Sequence, residues 1–558
     1  MTTNQAELDR TIAELTEGSE RWATTTLTAR AELLARTAVS VAREAESWVE
    51  AAAEAKGLDP ASALIGEEWL TGPYGVLTSL AVLRSTVLAR AQGLSPLAGR
   101  RLGRAPGKRL TVPVLPNTAA EALLLHGFHA RVWLRPGVTA DQARKRAGLG
   151  QLRPTERGGV GVVLGAGNIS SIGPLDTLYE LFAHNRVSIL KLNPTFATLL
   201  PVYLAALAPL IDAGVLRIVN GGADVGGYLV QHASIGHVHI TGSAASHDAI
   251  VFGGADRSAP VLSKPISSEL GGVAPIIVLP GRWSERDLRF QAEHVATQRL
   301  HNGGYNCIAG QVLVLSADWP QKVAFLEAVA SALAAAPERP AWYPGSDERM
   351  RAARISYPDA RELRGGRLLA EARTSTSRKD MLTTEYFAPV LGVVELPGTG
   401  QNFLDAAVDA ANRDFVGTLG VNILGLPTTI RGLGTGFEQA VARLRYGTIA
   451  INAWTGVGFL TAAAPWGAFP GHTLDNVQSG IGVVHNALLL DDVERTVVRG
   501  PFRPFPRSIT RGEWALLPKP PWFVSARSAA VTARRLTEFV AQPSVTKLLG
   551  ILAAAFRA

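Results

Sequence analysis

Gly159-Val160-Gly161-Val162-Val163-Leu164-Gly165-Ala166-Gly167-Asn168 is the stretch that decides the fold. A short Val-rich run bounded by glycines reads as a buried strand, and it opens a repeating pattern. A helix over 174–183 leads to an apolar strand over 187–191. A helix over 198–213 leads to a strand over 216–219, and a helix over 225–233 to a strand over 237–240. Strands alternating with helices predict a parallel sheet with helices on its faces, an α/β protein. Ligands in such sheets bind beyond the carboxyl ends of the strands. Asn168, Lys191 and the turn Thr241-Gly242-Ser243 all fall at those ends. Taken singly they are weak signs. A lysine at a strand end often caps a helix or pairs with an acid, and Gly221-Gly222-Ala223-Asp224-Val225-Gly226 lacks dinucleotide-fingerprint spacing. Three polar groups on one edge are harder to dismiss.

Further along lies Tyr305-Asn306-Cys307-Ile308-Ala309-Gly310, with the only cysteine among 558 residues. A lone cysteine forms no intramolecular disulfide and lacks the partners of a cysteine-rich metal site, so no metal is expected. Most free cysteines are small buried hydrophobes. Here Gly303-Gly304 precedes and Ala309-Gly310 follows, leaving a small, permissive backbone before the apolar run 312–315. A thiol on such a turn is open to close approach by a substrate and is a candidate nucleophile. Glu269-Leu270-Gly271-Gly272 stands at the entrance to an apolar strand over 274–279. An isolated glutamate is usually a surface group; beside glycines in a cleft it can serve as a general base. Glu385-Tyr386-Phe387-Ala388-Pro389-Val390 leads into another strand.

The length calls for two or three domains. With 47% hydrophobic and 18% charged residues the chain is globular and well supplied with core. The start lacks a basic segment followed by an apolar core, and no run of about 18–20 apolar residues occurs. A cytoplasmic protein is therefore expected. Helical patterns fill 5–56 and 76–91, a Gly/Arg/Pro-rich loop follows over 92–109, and strands are expected at 110–115 and 130–134.

The net charge of +8 is concentrated at one end. Residues 501–558 hold nine Lys or Arg against Glu513 and Glu538, which is nearly the whole excess. Prolines and Trp514 and Trp522 mark 501–523 as an extended linker. A helix is expected over 524–541, stopped by Pro543. Two readings of this tail compete. It packs on the body or on a neighbouring subunit, or it touches a membrane surface through basic and apolar faces. Nucleic-acid binding is not expected, because charge without a recognisable fold is weak evidence.

In order, Gly167-Asn168, Glu269-Leu270-Gly271-Gly272, Asn306-Cys307-Ile308-Ala309-Gly310 and Glu385-Tyr386-Phe387-Ala388-Pro389-Val390 resemble the motifs of the aldehyde dehydrogenase superfamily. The resemblance runs from about residue 30 to 495. It implies a Rossmann-type cofactor domain (1–109 and 136–268), a catalytic domain (269–479) and a small β extension (110–135 and 480–498) that pairs subunits, with 501–558 as a tail. A homodimer or homotetramer is implied. So is NAD(P)-dependent oxidation of an aldehyde through a thiohemiacetal and a thioester, with a hydrophobic aldehyde expected.

By the same resemblance, Cys307 would be the nucleophile. Asn168 and the Cys307 N–H would hold the oxyanion, and Glu269 would activate water. Lys191 would contact the adenosine ribose, with Gly242 and Ser243 near the phosphates. Glu385 would bind the nicotinamide ribose, and Phe387 would pack nearby. The same thioester would serve a CoA-acylating dehydrogenase or acyl reductase, and a catalytically weak scaffold protein is a third reading. Glu269 argues against the acylating alternative, and retention of all four motifs argues against the scaffold.

Departures from the family pattern mark a divergent branch. Ala166-Gly167 replaces the usual Pro-Trp before the catalytic amide. Pro194 stands where a ribose-binding glutamate is common, which makes NADP more tolerable. His247 replaces a glycine and would crowd or contact the pyrophosphate. The interval from Cys307 to Glu385 is short for the family.

Overall fold

The structure, a computed structural model, describes residues 4–254, 257 and 259–557. Residues 1–3, part of the start that carries no expected secretory signal, lie outside them. Two sheets organise the rest. The first has six strands: β4 (Val160–Leu164), β5 (Val187–Lys191), β6 (Leu216–Val219), β7 (Ile235–Gly242), β8 (Ile266–Leu270) and β17 (Gly480–Ile481), in the order β17-β8-β7-β4-β5-β6. β4 to β8 run parallel, as the alternation predicts, and Val160, Val162, Val163, Ile189 and Leu190 are buried because helices cover the sheet. β17 is different. Two residues long and antiparallel to β8, it pairs Gly480 with Glu269. Gly480–Ile481 therefore joins the first sheet and is not part of the extension expected over 480–498.

The second sheet has eleven strands. Its parallel centre contains β9 (Ala274–Val278), β10 (Gly310–Ser316), β12 (Arg367–Glu371), β13 (Val390–Leu396), β14 (Gly420–Leu424) and β15 (Thr448–Ile451), with β11 (Arg361–Leu363) antiparallel at one edge. At the other end lie β1 (Gly103–Ala105), β2 (Arg109–Leu115), β3 (His129–Leu134) and β19 (Val493–Arg499). β19 pairs antiparallel with β3 and parallel with β15 of the same chain. The extension thus completes the large sheet within one chain. Arg109, the last residue of the expected loop, opens β2 and pairs with Glu494 on β19 at 2.5 Å.

The helix expected over 198–213 is broken into a 3-10 turn (Pro194–Leu199) and two short helices (Leu200–Ala206 and Ala208–Asp212). Pro201 and Pro209 lack the N–H that would continue the ladder, and each sits at a helix start, where that loss costs nothing.

The tail packs on the body. Helices Arg507–Thr510, Ala529–Ala541 and Val545–Ala555 punctuate it, and Phe502, Trp522, Phe523 and Val524 are buried. Phe502 meets the edge of Trp283, and Phe523 stacks on His294 at 5.3 Å. Its cations are taken up by neighbours: Arg503 by Asp287 and Glu513, Arg507 by Asp287, and Lys519 by Glu293. The linker reading of 501–523 fails because its prolines and aromatics have a surface to lie on. Membrane contact finds no support in this arrangement. Among the described residues no helix is long and apolar enough to cross a membrane.

Candidate active site

The two sheets meet at the cysteine turn. The helix Glu285–Leu300 runs into a 3-10 turn, His301–Gly304, and then the loop that carries Cys307 into β10. The turn needs positive φ at Asn302 (54°), Gly303 (71°) and Gly304 (84°). A Cβ on Gly304 would lie 2.7 Å from the Arg299 guanidinium and 3.0 Å from its carbonyl oxygen, so glycine is required there. A buried ionic cluster holds the non-glycine member in place. Lys56 bridges Glu68 at 2.8 Å and the Asn302 side-chain oxygen at 3.0 Å. The Asn302 N–H donates to Glu67, which also pairs with Arg339. The Asn302 amide then donates to the Asn168 carbonyl at 3.0 Å, tying the cysteine turn to the end of β4.

Cys307 is half-buried, and its Sγ lies 3.7 Å from Glu269 Oε1. That oxygen also accepts the Trp466 indole N–H at 2.5 Å, while Oε2 is buried without a hydrogen-bond partner. Burial and the nearby Asp176 push Glu269 up to about 7, against the opposing pull of the Trp466 N–H, His239 and Cys307. Burial, then Glu269 and Glu385, push the Cys307 thiol up as well. The thiol thus holds its proton beside a carboxyl poised near neutrality, which can both take and return one. Asn168 is buried beside them. Its amide donates to the Tyr305 carbonyl at 2.9 Å, which fixes one N–H and leaves the second for an incoming oxygen.

Glu385 approaches from the loop before β13. It accepts the Gly272 N–H, and burial holds its carboxyl near 7. Its Oε1 has no hydrogen-bond partner. A Cβ on Gly271 would fall 2.1 Å from that oxygen, which explains the glycine in the Glu269-Leu270-Gly271-Gly272 motif. Phe387 adopts φ 44°, a strained value for an aromatic residue, with its ring 4.9 Å from Tyr343 and 6.0 Å from Tyr305.

The remaining expected residues line the edge of the first sheet, away from the thiol. Lys191 ends β5, mostly buried. Burial lowers its pKa, and Asp224 opposes that. Gly242 ends β7, and Ser243 caps the helix Ala244–Phe252 by accepting the Ser246 N–H. Both are exposed, so the positive end of that helix faces open space. His247 does not face that space. Its side chain is fully enclosed, with Asp248 3.4 Å away. Pro194 starts the 3-10 turn that Asn193 caps.

Neither Trp466 as the partner of Glu269 nor the Lys56 cluster was legible in the sequence. The partners of Lys56 lie far along the chain, and Trp466 sits in a loop rich in aromatics.

Residues 159–342 match the aldehyde dehydrogenase family. Aldehyde dehydrogenase LUC3 from Fusarium sp is 30% identical over 156 residues, which covers 27% of this chain and 32% of that protein. D-glyceraldehyde dehydrogenase (NADP(+)) from Thermoplasma acidophilum is 29% identical over 109 residues, covering 19% and 20%. The chain thus spans about a third or less of the length of these curated relatives. Solved structures share the fold over most of the chain. The NADP-dependent glyceraldehyde-3-phosphate dehydrogenase from Bacillus halodurans, complexed with NADP, has a TM-score of 0.59 at 18% identity, covering 89% of this chain and 92% of its own. Aldehyde dehydrogenase C from Pseudomonas syringae, in complex with NAD+ and octanal, has a TM-score of 0.57 at 18% identity, covering 89% and 90%.

Proposed function

We propose that this chain, whose residues 159–342 match the aldehyde dehydrogenase family, is a member of that superfamily that oxidises an aldehyde to a carboxylic acid with NAD or NADP, using Cys307 as nucleophile. The observation that carries this reading is half-buried Cys307 lying 3.7 Å from buried Glu269, with the carboxyl poised near pH 7. The cofactor fits the residues present. Exposed Gly242 and Ser243 at a helix start suit a pyrophosphate. Lys191 ends β5 on the same edge, with β4 between it and β7, and the unpartnered Glu385 Oε1 suits a ribose hydroxyl. When bound, the nicotinamide supplies a hydride acceptor.

Glu269 takes the thiol proton, directly or through water, and the thiolate attacks the aldehyde carbon. The second N–H of Asn168 and the Cys307 backbone N–H would donate to the oxygen that becomes negative, where fixed donors are worth several kcal/mol, roughly 3–4 per donor. Loss of hydride leaves a thioester on Cys307. Once the thiol proton has left Glu269, its carboxylate takes a proton from water, and the hydroxide adds to the thioester carbonyl and expels the thiolate, releasing the acid. The nearness of the base to the sulfur favours water over CoA as acyl acceptor.

A hydrophobic aldehyde is the substrate class supported by the walls. Ala166, Ile169 and Ile172 pack with Phe459, whose ring lies edge-on to Trp466 at 5.3 Å. We divide the chain into a cofactor domain around the first sheet and a catalytic domain around the second. A homodimer or homotetramer is part of the reading, although the fold does not require one, since β19 closes on β15 of its own chain.

The test is formation of reduced cofactor from NAD or NADP by wild type and Cys307→Ala, with short, aromatic and long-chain aldehydes and no CoA. Turnover by wild type alone is expected, strongest with the apolar aldehydes. Turnover that needs CoA, or that survives in Cys307→Ala, contradicts the reading.

A further inference from the structure

We propose that Asp176, flanked by His239 and His485, is the first acceptor of a relay that takes protons away from Glu269. This rests on the aldehyde-oxidising reading above. Converting an aldehyde and water to a carboxylate and reduced cofactor releases two protons per turnover. Glu269 accepts protons in that scheme and must be emptied before the next cycle, yet it is 2% exposed. A buried base with no route to solvent would stall.

The route is laid out by register. Thr241 on β7 sits directly opposite Glu269 on β8, and His239 opposite Ser267, so all four side chains lie on one face of the sheet. The helix Ile172–His184 covers that face. The Thr241 hydroxyl donates to Asp176 Oδ2 at 3.0 Å, and His239 Nε2 lies 3.3 Å from the same oxygen. The other His239 nitrogen meets the Ser267 hydroxyl at 2.8 Å. His485 on β18 (Val484–His485) comes from the opposite side, with Nε2 3.8 Å from Asp176 Oδ1. β18 pairs with β16 (Pro465–Trp466), which supplies the indole donor to Glu269. The same four elements therefore hold both Glu269 and Asp176.

A second observation points to water between them. Glu269 Oε2, Asp176 Oδ1 and His485 Nε2 are all buried without a hydrogen-bond partner. Buried polar atoms left over by the protein are commonly satisfied by ordered water. The relay requires one such water between Glu269 and Asp176.

One helical turn beyond Asp176, Glu180 faces His237, two residues from His239 on β7, with His237 Nδ1 3.4 Å from Glu180 Oε2 but without a hydrogen-bond partner. Arg186 pairs with Glu180, and His184 is exposed at the end of the helix. Charges facing His239 are thus Asp176, Glu180 and Glu269, with His237, His184 and His485 nearby. Burial disfavours a charged His239, but the three carboxylates outweigh it and raise its pKa. His485 is held neutral, its pKa lowered to about 4 chiefly by burial. A carboxylate set between two imidazoles, one favoured in the charged form and one held neutral, is chemically suited to take a proton from Glu269 and hand it on. These residues act through Glu269 and are positioning residues for its proton, not catalytic residues.

The test compares wild type with Asp176→Asn, His239→Gln and Thr241→Val. The last removes only a hydroxyl and guards against loss of folding in the first two. Three quantities are read: the single-turnover burst of reduced cofactor, the acyl adduct on Cys307 by intact mass, and steady-state turnover with and without hydroxylamine. The relay predicts a full burst, an accumulating adduct and turnover lowered at least about tenfold. It also predicts recovery with hydroxylamine, which resolves a thioester without a buried base, and a pH profile of turnover that differs from wild type. Wild-type turnover in all three variants, or loss of burst and turnover together without rescue by hydroxylamine, overturns the relay. A wild type with no burst for any aldehyde instead overturns the parent reading and the relay with it.

Discussion

Glu269 concentrates the chemistry because its surroundings disagree about its charge. Burial and Asp176 favour the protonated acid; the Trp466 indole, His239 and Cys307 favour the carboxylate, and the balance falls at about 7. The base works only when ionised, so turnover rises as pH passes through about 7. Removing the indole donor removes a group that stabilises the carboxylate. Trp466→Phe therefore moves the rising limb of the turnover profile to higher pH, while the burst at alkaline pH is retained. A profile that stays in place would mean the indole only fills space. At this scale the sequence was readable for Cys307, Glu269 and Glu385, because glycines beside a reactive residue betray close packing. Gly271 shows why, lacking even the room for a methyl group against Glu385. Asp176 and His239 were not readable. They lie far apart in sequence and meet only across a helix and a strand, although the His237-Val238-His239 alternation inside an apolar strand was a signal that something polar faces that helix.

The cysteine turn is an element with little intrinsic preference for its shape. Three consecutive positive φ values leave it dependent on the Lys56, Glu67, Glu68 and Arg339 cluster. Lys56 and Glu68 are fully buried. Lys56→Met leaves a buried carboxylate without its partner and is expected to cost about 3–5 kcal/mol in denaturant unfolding. Joint replacement of Lys56 and Glu68 by apolar residues restores most of it. A change below about 1 kcal/mol for the single variant, the range of an exposed pair, would contradict the tethering role. Elements built from apolar periodicity, β4 to β7 among them, were legible. The break near Leu207 and the two-residue β17 were not. Prolines at 201 and 209 end one helix while starting another, and so short a strand has no period to read.

Across the whole molecule, the tail changed meaning once the fold was known. Its charge is real, but Arg503, Arg507 and Lys519 neutralise acids on the helix Glu285–Leu300, the helix that leads to Cys307. Phe502, Trp522 and Phe523 each bury a side chain worth about 1.5–3 kcal/mol. A chain ending at Gly500 is therefore expected to melt at a markedly lower temperature and to lose turnover with it. Full-length and shortened chains should pellet equally with anionic liposomes. Unchanged melting would show that the tail is only laid on the surface, and selective pelleting of the full chain would return the membrane reading.

The central claim is that Cys307 forms the acyl bond and Glu269 breaks it with water. The direct measurement is rapid mixing of Glu269→Gln with cofactor and an apolar aldehyde, followed by intact mass. The account predicts one equivalent of reduced cofactor per site, an acyl group held on Cys307 and almost no further turnover. Sustained turnover near the wild-type rate, or a burst that leaves no adduct on Cys307, would contradict it.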